Sequence, residues 1–391
     1  MQKKILIVTG SRAEWGLLKP LYKLLKQNTQ IETLLLVTGS HLNSEGDNSI
    51  AEIENDQVEI DARLTVFTKN DAKDVEQQMF NAMARLYEDL PPILQQLQPD
   101  MTIFLGDRYE IFAVASVCRL LGLQTAHISG GELTRGAFDD QLRHAITKLS
   151  DYHFTATETY RQRVIQMGEN PDCVFNCGEI GLYRFSQLQL LSPQATKEKL
   201  KLPANAKIWL ATIHPETSFP KKVSAALDAL LDRMLALSAE RIIVFTAANA
   251  DPEGERINCR LKEYAAKFPQ KLKFFHSLGR TPYLSLAASA ELVIGNSSSG
   301  IIEIPALRVP VINLGTRQTG RPHSATVVDA GFEADSFEKA LNTVLNEEFR
   351  ASLPNHENIY QGEDSCEKIA DLLIKLATKP PHHIKAFYDL K

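Results

Sequence analysis

Short unbroken apolar runs alternate along the chain with longer stretches in which apolar residues recur every three or four positions. KKILIVTG (3–10) ends in glycine and leads into a helix expected to start near Trp15. IETLLLVTG (31–39) opens onto a loop carrying Ser40 and His41, and MTIFLGDR (101–108) runs into the helical YEIFAVASVCRLLG. QTAHISGG (124–131) precedes DDQLRHAITKLS (139–150), which reads as a helix with Leu142, Ile146 and Leu149 on its apolar face. Unbroken apolar strands alternating with helices predict a parallel sheet buried on both faces.

A second series follows: KIWLATIHPE, RIIVFTAANAD, LKFFHSLG, AELVIGNSSSG and VPVINLG, separated by helical stretches such as 222–238 and 255–267. LLSPQATKEKLKLPANA (190–206) reads as the connection. The expected fold is α/β, with two Rossmann-like doubly wound domains whose strand-end rims face a cleft. Residues 1–185 form the first domain and 186–363 the second; a last helix, 364–378, and the chain to about 391 pack back on the first. Neither an internal repeat nor a low-complexity tract interrupts this plan.

Charge narrows the partners. With 391 residues and a formal net charge of −5, the chain lacks the overall basic balance expected of a nucleic-acid binder, although an anionic small molecule needs only local positive charge. The opening MQKKILIVTGSRAEWG turns polar too soon for a signal peptide. No apolar run reaches the length of a membrane span. Five scattered cysteines predict a reducing, cytoplasmic setting, and Cys173 and Cys177 lack a second pair at metal-ligand spacing.

The distinctive motifs all fall at strand ends, where open parallel sheets bind ligands. GNSSSGIIEIP (295–305) offers helix-start N–H groups and the hydroxyls of Ser297, Ser298 and Ser299, followed by Gly300, to a phosphate; the plainer reading is a serine cap. Glu303 is placed to accept both hydroxyls of a ribose. TGSRAEWG lacks the three-glycine dinucleotide spacing but supplies Arg12, either a diphosphate ligand or a surface ion pair. RQTGRPH adds Arg317 and Arg321, whose planar forks match phosphate oxygens. Asp107 either caps the next helix or faces a ligand, and Glu132 follows a pair of glycines. Asp139 lies seven positions before Ile146, so it shares the inward face, whereas Asp140 falls with His144 and Thr147. His214 is equally compatible with a structural role and with a turn, fixed by Pro215 and Glu216, that aims it at a ligand. Asn249 and Asp251 suit a sugar or base, and His276 joins them at a neighbouring strand end.

Taken in order, GSRAEWG, GDRYEIF, HISGGE…DDQLRHAITKLS, VFNCGEIG, HPET, NAD, GNSSSGIIEIP and RQTGR resemble the hydrolysing UDP-N-acetylglucosamine 2-epimerases of sialic-acid-type pathways over nearly the whole chain. The resemblance implies the glycosyltransferase-B arrangement, and conversion of UDP-GlcNAc and water to N-acetylmannosamine and UDP without NAD or metal. It assigns acid/base roles to Asp107, Glu132 and Asp139, with His214 beside the nucleotide. Arg12, Ser297 to Gly300, Glu303, Arg317 and Arg321 would hold UDP, and Arg143 and His144 would support the acids or touch phosphate. A homodimer or homotetramer is also implied. Some relatives act on a 2,4-diacetamido-6-deoxy sugar nucleotide, which the motifs do not separate. A glycosyltransferase of the same shape and a non-catalytic nucleotide-sugar sensor are the rival readings.

Overall fold

The computed structural model describes residues 2–43, 49–68, 75–135, 138–216, 220–248, 252–379 and 385–390. These divide into two compact units, one of Met1–Glu132, Asp139–Phe185 and Gln361–Lys391, the other of Leu133–Phe138 and Ser186–Tyr360. The linear reading does not anticipate the grouping of Leu133–Phe138 with the second unit.

The first unit is built on β1 (Lys3–Thr9), β2 (Ile31–Val37), β3 (Ala62–Arg63), β4 (Met101–Leu105), β5 (Gln124–Ile128), β6 (Tyr152–Thr155) and β7 (Val174–Asn176), all parallel, in the order β3-β2-β1-β4-β5-β6-β7. Both faces are covered, which is why the strand sequences are apolar without alternation. Ile5 and Ile7 enter one core with Trp15, Leu18 and Ile369, whereas Leu6 and Val8 enter another with Leu86, Leu90 and Ile111. The helix Arg12–Lys26 begins before Trp15 because Ser11 accepts a hydrogen bond from Glu14 N and caps it.

The second unit repeats the plan with β8 (Ile208–Thr212), β9 (Ile242–Thr246), β10 (Leu272–Phe275), β11 (Leu292–Gly295), β12 (Val311–Leu314) and β13 (Val327–Ala330). Its parallel order is β10-β9-β8-β11-β12-β13. The helices expected at 222–238 and 255–267 run Pro220–Leu237 and Pro252–Lys267. The connecting segment carries a helix, Pro193–Lys199, started by a Ser192 cap and proline at its first position. In both sheets the order reverses beside the first strand. That opens a crevice between the carboxyl ends of β1 and β4 in one unit, and of β8 and β11 in the other.

Among the described residues no helix is long and apolar enough to cross a membrane. All five cysteines are free thiols.

Candidate active site

In the first unit, β4 ends at Leu105 and Gly106 turns the chain in the left-handed region (φ 85°), which presents Asp107 beyond the sheet edge. β5 ends at Ile128. Ser129 and Gly131 then both adopt positive φ, and a Cβ on Gly131 would run into the carbonyl of Tyr160. This brings Glu132 back under the sheet end, where it is buried. The helix Asp139–Leu149 follows, with Arg143, Ile146 and Thr147 buried along one face.

Arg143 joins the pieces. One terminal nitrogen donates to Asp107 Oδ2, the other to Glu132 Oε2 at 3.3 Å, and Arg143 and Glu132 side chains are each 6% exposed. The two carboxylates hold the guanidinium firmly charged despite burial. Asp107 therefore does not cap the next helix, whose cap position is Arg108 with no side-chain cap bond. Asp139 stands at the helix start one turn before Arg143, half-buried, on the face that carries Arg143 and Ile146. Asp140 pairs instead with His144, 3.8 Å away, as the wheel predicts.

His127, on β5, locks the cluster from below. Its Nε2 lies 2.8 Å from the Gly106 carbonyl and its Nδ1 3.2 Å from Thr147 Oγ1. Burial lowers its pKa to about 3, so the ring is neutral. A carbonyl only accepts, so Nε2 carries the proton. The residue before Asp107 and the helix bearing Asp139 are thus tied through one ring.

At the end of β1, Glu14 Oε2 accepts from Gly10 N at 2.7 Å, Arg108 lies 3.9 Å from Oε1, and Arg108 makes two bonds to the buried Glu110. Burial outweighs the nearby Arg108 and raises the Glu14 pKa from 4.5 to about 7. A raised folded-state pKa means that Glu14's contribution is complete below about pH 4.5 and is lost as pH rises through about 7, on the order of 3 kcal/mol. Glu14→Gln, which keeps the acceptor for Gly10 N, should flatten that loss. Urea unfolding at pH 5 and pH 8 reads it, and equal pH dependence in both proteins would refute it. Arg12 forms the surface ion pair, 2.7 Å from Glu52 with both side chains about half exposed.

In the second unit, Gly295 (φ 137°) passes so close to β8 that any Cβ would collide with the Thr212 carbonyl. The next residue, Asn296, clamps the crevice: its Oδ1 accepts from His214 N at 2.7 Å and its Nδ2 donates to His214 O at 2.9 Å. The Asn296 carbonyl accepts from Arg317 Nη1 at 3.0 Å and Gln318 Nε2 at 2.9 Å. Glu216, fully buried, accepts from Thr316 N, Thr316 Oγ1 and Arg317 N at 2.5, 2.9 and 3.1 Å. It fixes the loop that carries Arg317. His214 is held neutral, its pKa lowered to about 3 by burial and then by Arg317.

Ser297 caps Ser298–Ile302, accepting from Ser299 N, as the plainer reading of this segment expects. That helix is short and passes into a 3-10 segment, Ile304–Leu307, with proline at its second position. Glu303 sits at that junction, 3.5 Å from Arg280, and burial raises its carboxyl pKa against that cation. Arg321 is buried and bonds the Leu133 carbonyl (2.7 Å) and Thr134 Oγ1 (3.2 Å).

The structure thus brings Asp107, Glu132 and Arg143 into one cluster, with Asp139 one helical turn before Arg143, and His214, Ser297 and Arg317 into another. His276 is exposed beyond the edge strand β10, with β9 and β8 between it and β11. Asn249 and Asp251 lie outside the described residues. Asn296, Gln318 and His127 were missed as site-building residues. Asn296, directly after Gly295 at a strand end, carried a signal of this kind, whereas the partners of Gln318 and His127 are distant in sequence.

A family model described as UDP-N-acetylglucosamine 2-epimerase matches residues 23–374. Over 349 residues, 89% of each chain, the sequence is 36% identical to a Campylobacter jejuni protein named GDP/UDP-N,N′-diacetylbacillosamine 2-epimerase (hydrolyzing). It is 33% identical over 389 residues to polysialic acid biosynthesis protein P7 of Escherichia coli, covering 99% of this chain and 98% of that one. The structure of UDP-GlcNAc 2-epimerase from Neisseria meningitidis bound to UDP-GlcNAc superimposes with a TM-score of 0.80, covering 95% of this chain and all of that one. At 17% identity, this likeness speaks for the fold.

Proposed function

The chain belongs to the UDP-N-acetylglucosamine 2-epimerase family, and on that premise we propose that it is a hydrolysing enzyme converting UDP-GlcNAc and water to N-acetylmannosamine and UDP. The observation that carries the reading is the pair of carboxylates, Asp107 and Glu132, converging on Arg143 at the ends of adjacent parallel strands, with Asp139 one helical turn away.

The chemistry explains the need for acids and cations together. The C2 hydrogen of the sugar is not acidic, because no carbonyl adjoins it. Departure of UDP from C1 builds positive charge there and loosens that bond. One carboxylate, Asp107 or Glu132, takes the C2 proton; the C–H electron pair becomes the C1–C2 double bond, and the C1–O pair leaves with UDP. Asp139 then protonates C2 from the opposite face while water adds at C1, which gives the inverted free sugar; the roles of base and acid are exchangeable between these groups. The second unit presents helix-start amides at Ser297–Gly300, Arg317 and Arg321, groups suited to a departing diphosphate, and Glu303, suited to the ribose hydroxyls. Arg12 adds a further phosphate ligand by exchanging Glu52 for the diphosphate. No step calls for a nicotinamide or a metal.

Incubation with UDP-GlcNAc in D₂O tests the reading. Released N-acetylmannosamine should carry deuterium at C2. Sugar handed to an acceptor with C2 untouched would mean a glycosyltransferase, and unchanged UDP-GlcNAc after long incubation would mean a binding protein. Arg321→Ala should weaken UDP binding by about tenfold or more, as expected for loss of a charge-assisted contact; calorimetric titration giving unchanged affinity removes Arg321 from the nucleotide site. The 36% identity to a diacetylbacillosamine 2-epimerase favours a second reading, the same reaction on UDP-2,4-diacetamido-2,4,6-trideoxyglucose. Rates on the two UDP-sugars under identical conditions decide between them.

A further inference from the structure

The segment Lys385–Leu390 lies against the end of the helix that carries the acids. Lys385, 14% exposed at its side chain, places its ammonium among the carbonyls of Thr147 (3.2 Å), Lys148 (2.8 Å) and Ser150, and 2.7 Å from Glu169 Oε2. Those carbonyls are the ones a helix leaves without intrahelical partners at its C-terminus, where a cation also meets the negative end of the helix dipole. Glu169 is itself gripped by Lys148 at 2.5 Å and His153 at 2.9 Å. Two residues on, Phe387 occupies the space that only a glycine at 168 leaves open, Lys148 Nζ lies 5.1 Å over its ring, and Tyr388 N donates to the Gly168 carbonyl at 2.9 Å.

An exposed tail gains little by burying an ammonium, because desolvation opposes it. Here the cost is met by four oxygen acceptors, two from the last turn of one helix and a third from the residue just past its end. Asp139, Arg143 and His144 ride on that helix, so whatever fixes its end fixes their approach to a substrate. We propose that Lys385–Leu390 is a strap that sets the pose of the helix Asp139–Leu149, with Lys385 as a positioning residue for proton transfer at Asp139; this rests on the function proposed above. An acid displaced by about 1 Å can lose about 10²-fold in rate. The strap therefore acts on turnover and leaves untouched the nucleotide contacts assigned to the other unit.

The test compares wild type with Lys385→Met, Lys385→Arg and Phe387→Ala in the full chain. Hydrogen exchange across 139–150 should be roughly tenfold or more faster in Lys385→Met. Its kcat should be about 10- to 100-fold lower, with the Kd for UDP within about twofold. Lys385→Arg, which returns a cation to the helix end, should recover turnover to within a few-fold of wild type. Phe387→Ala keeps the ammonium and should give the same pattern at smaller amplitude, so it carries the test should Lys385→Met not fold. Unchanged exchange overturns the proposal, as does faster exchange with wild-type kcat, or a loss of turnover that Lys385→Arg does not restore. Exchange needs no substrate, and the wild-type assay on UDP-sugars stands by itself. A protein that is no epimerase is thereby told apart from a strap that holds nothing.

Discussion

Asp139→Asn should lower kcat for UDP release by about 10²–10⁴-fold while leaving the Kd for UDP within a few-fold, the range expected when one positioned acid or base is removed. The side chain is half-buried at the first turn of the helix, on the face shared with Arg143 and Ile146, and asparagine is nearly isosteric. Helix start and packing should survive, and only the exchangeable proton is lost. Steady-state UDP release and calorimetric titration with UDP read the two quantities separately. Turnover within tenfold of wild type would remove Asp139 from the reaction.

Arg143→Met should cost both stability and activity. The guanidinium pairs with Asp107 and Glu132 at once, and it is as buried as Glu132. Removing one partner of a buried ion pair leaves uncompensated charge and typically costs about 3–5 kcal/mol. In a unit of this size that is a fall in melting temperature on the order of 10 °C. A variant melting within 2–3 °C of wild type and turning over at the wild-type rate would mean that Arg143 does not hold the pair.

Much of the fold is legible in sequence for a physical reason. A parallel sheet covered on both faces demands unbroken apolar strands, and glycine after several of them marks the rim; KKILIVTG and AELVIG announce themselves this way. Boundaries set by caps were less visible: the helix after β1 begins at Arg12 through Ser11, and a short helix hides in 190–206 behind Ser192-Pro193. The helical period separated Asp139 from Asp140, because the wheel depends only on local geometry. It did not reveal that Arg143, one turn on, would be clasped by Asp107 from a strand end 36 positions away. Nor did it reveal that Asn296 would reach across to bond the backbone at His214. Such partners follow from strand order, which local pattern leaves open. Asp107 seemed equally suited to capping for the same reason.

The helix Ser365–Ala377 has a consequence for how the molecule is made. Its residues Cys366, Ile369, Ala370, Leu373 and Leu376 complete the core that Ile5, Ile7, Trp15 and Leu18 begin. The second unit's core is drawn entirely from Trp209 to Val344. A ribosome therefore finishes the second unit's core while the unit it started with still lacks a wall. Synthesis order and closure order run opposite ways, and a released chain ending near residue 360 should present one sealed unit and one open apolar trough for chaperones to guard.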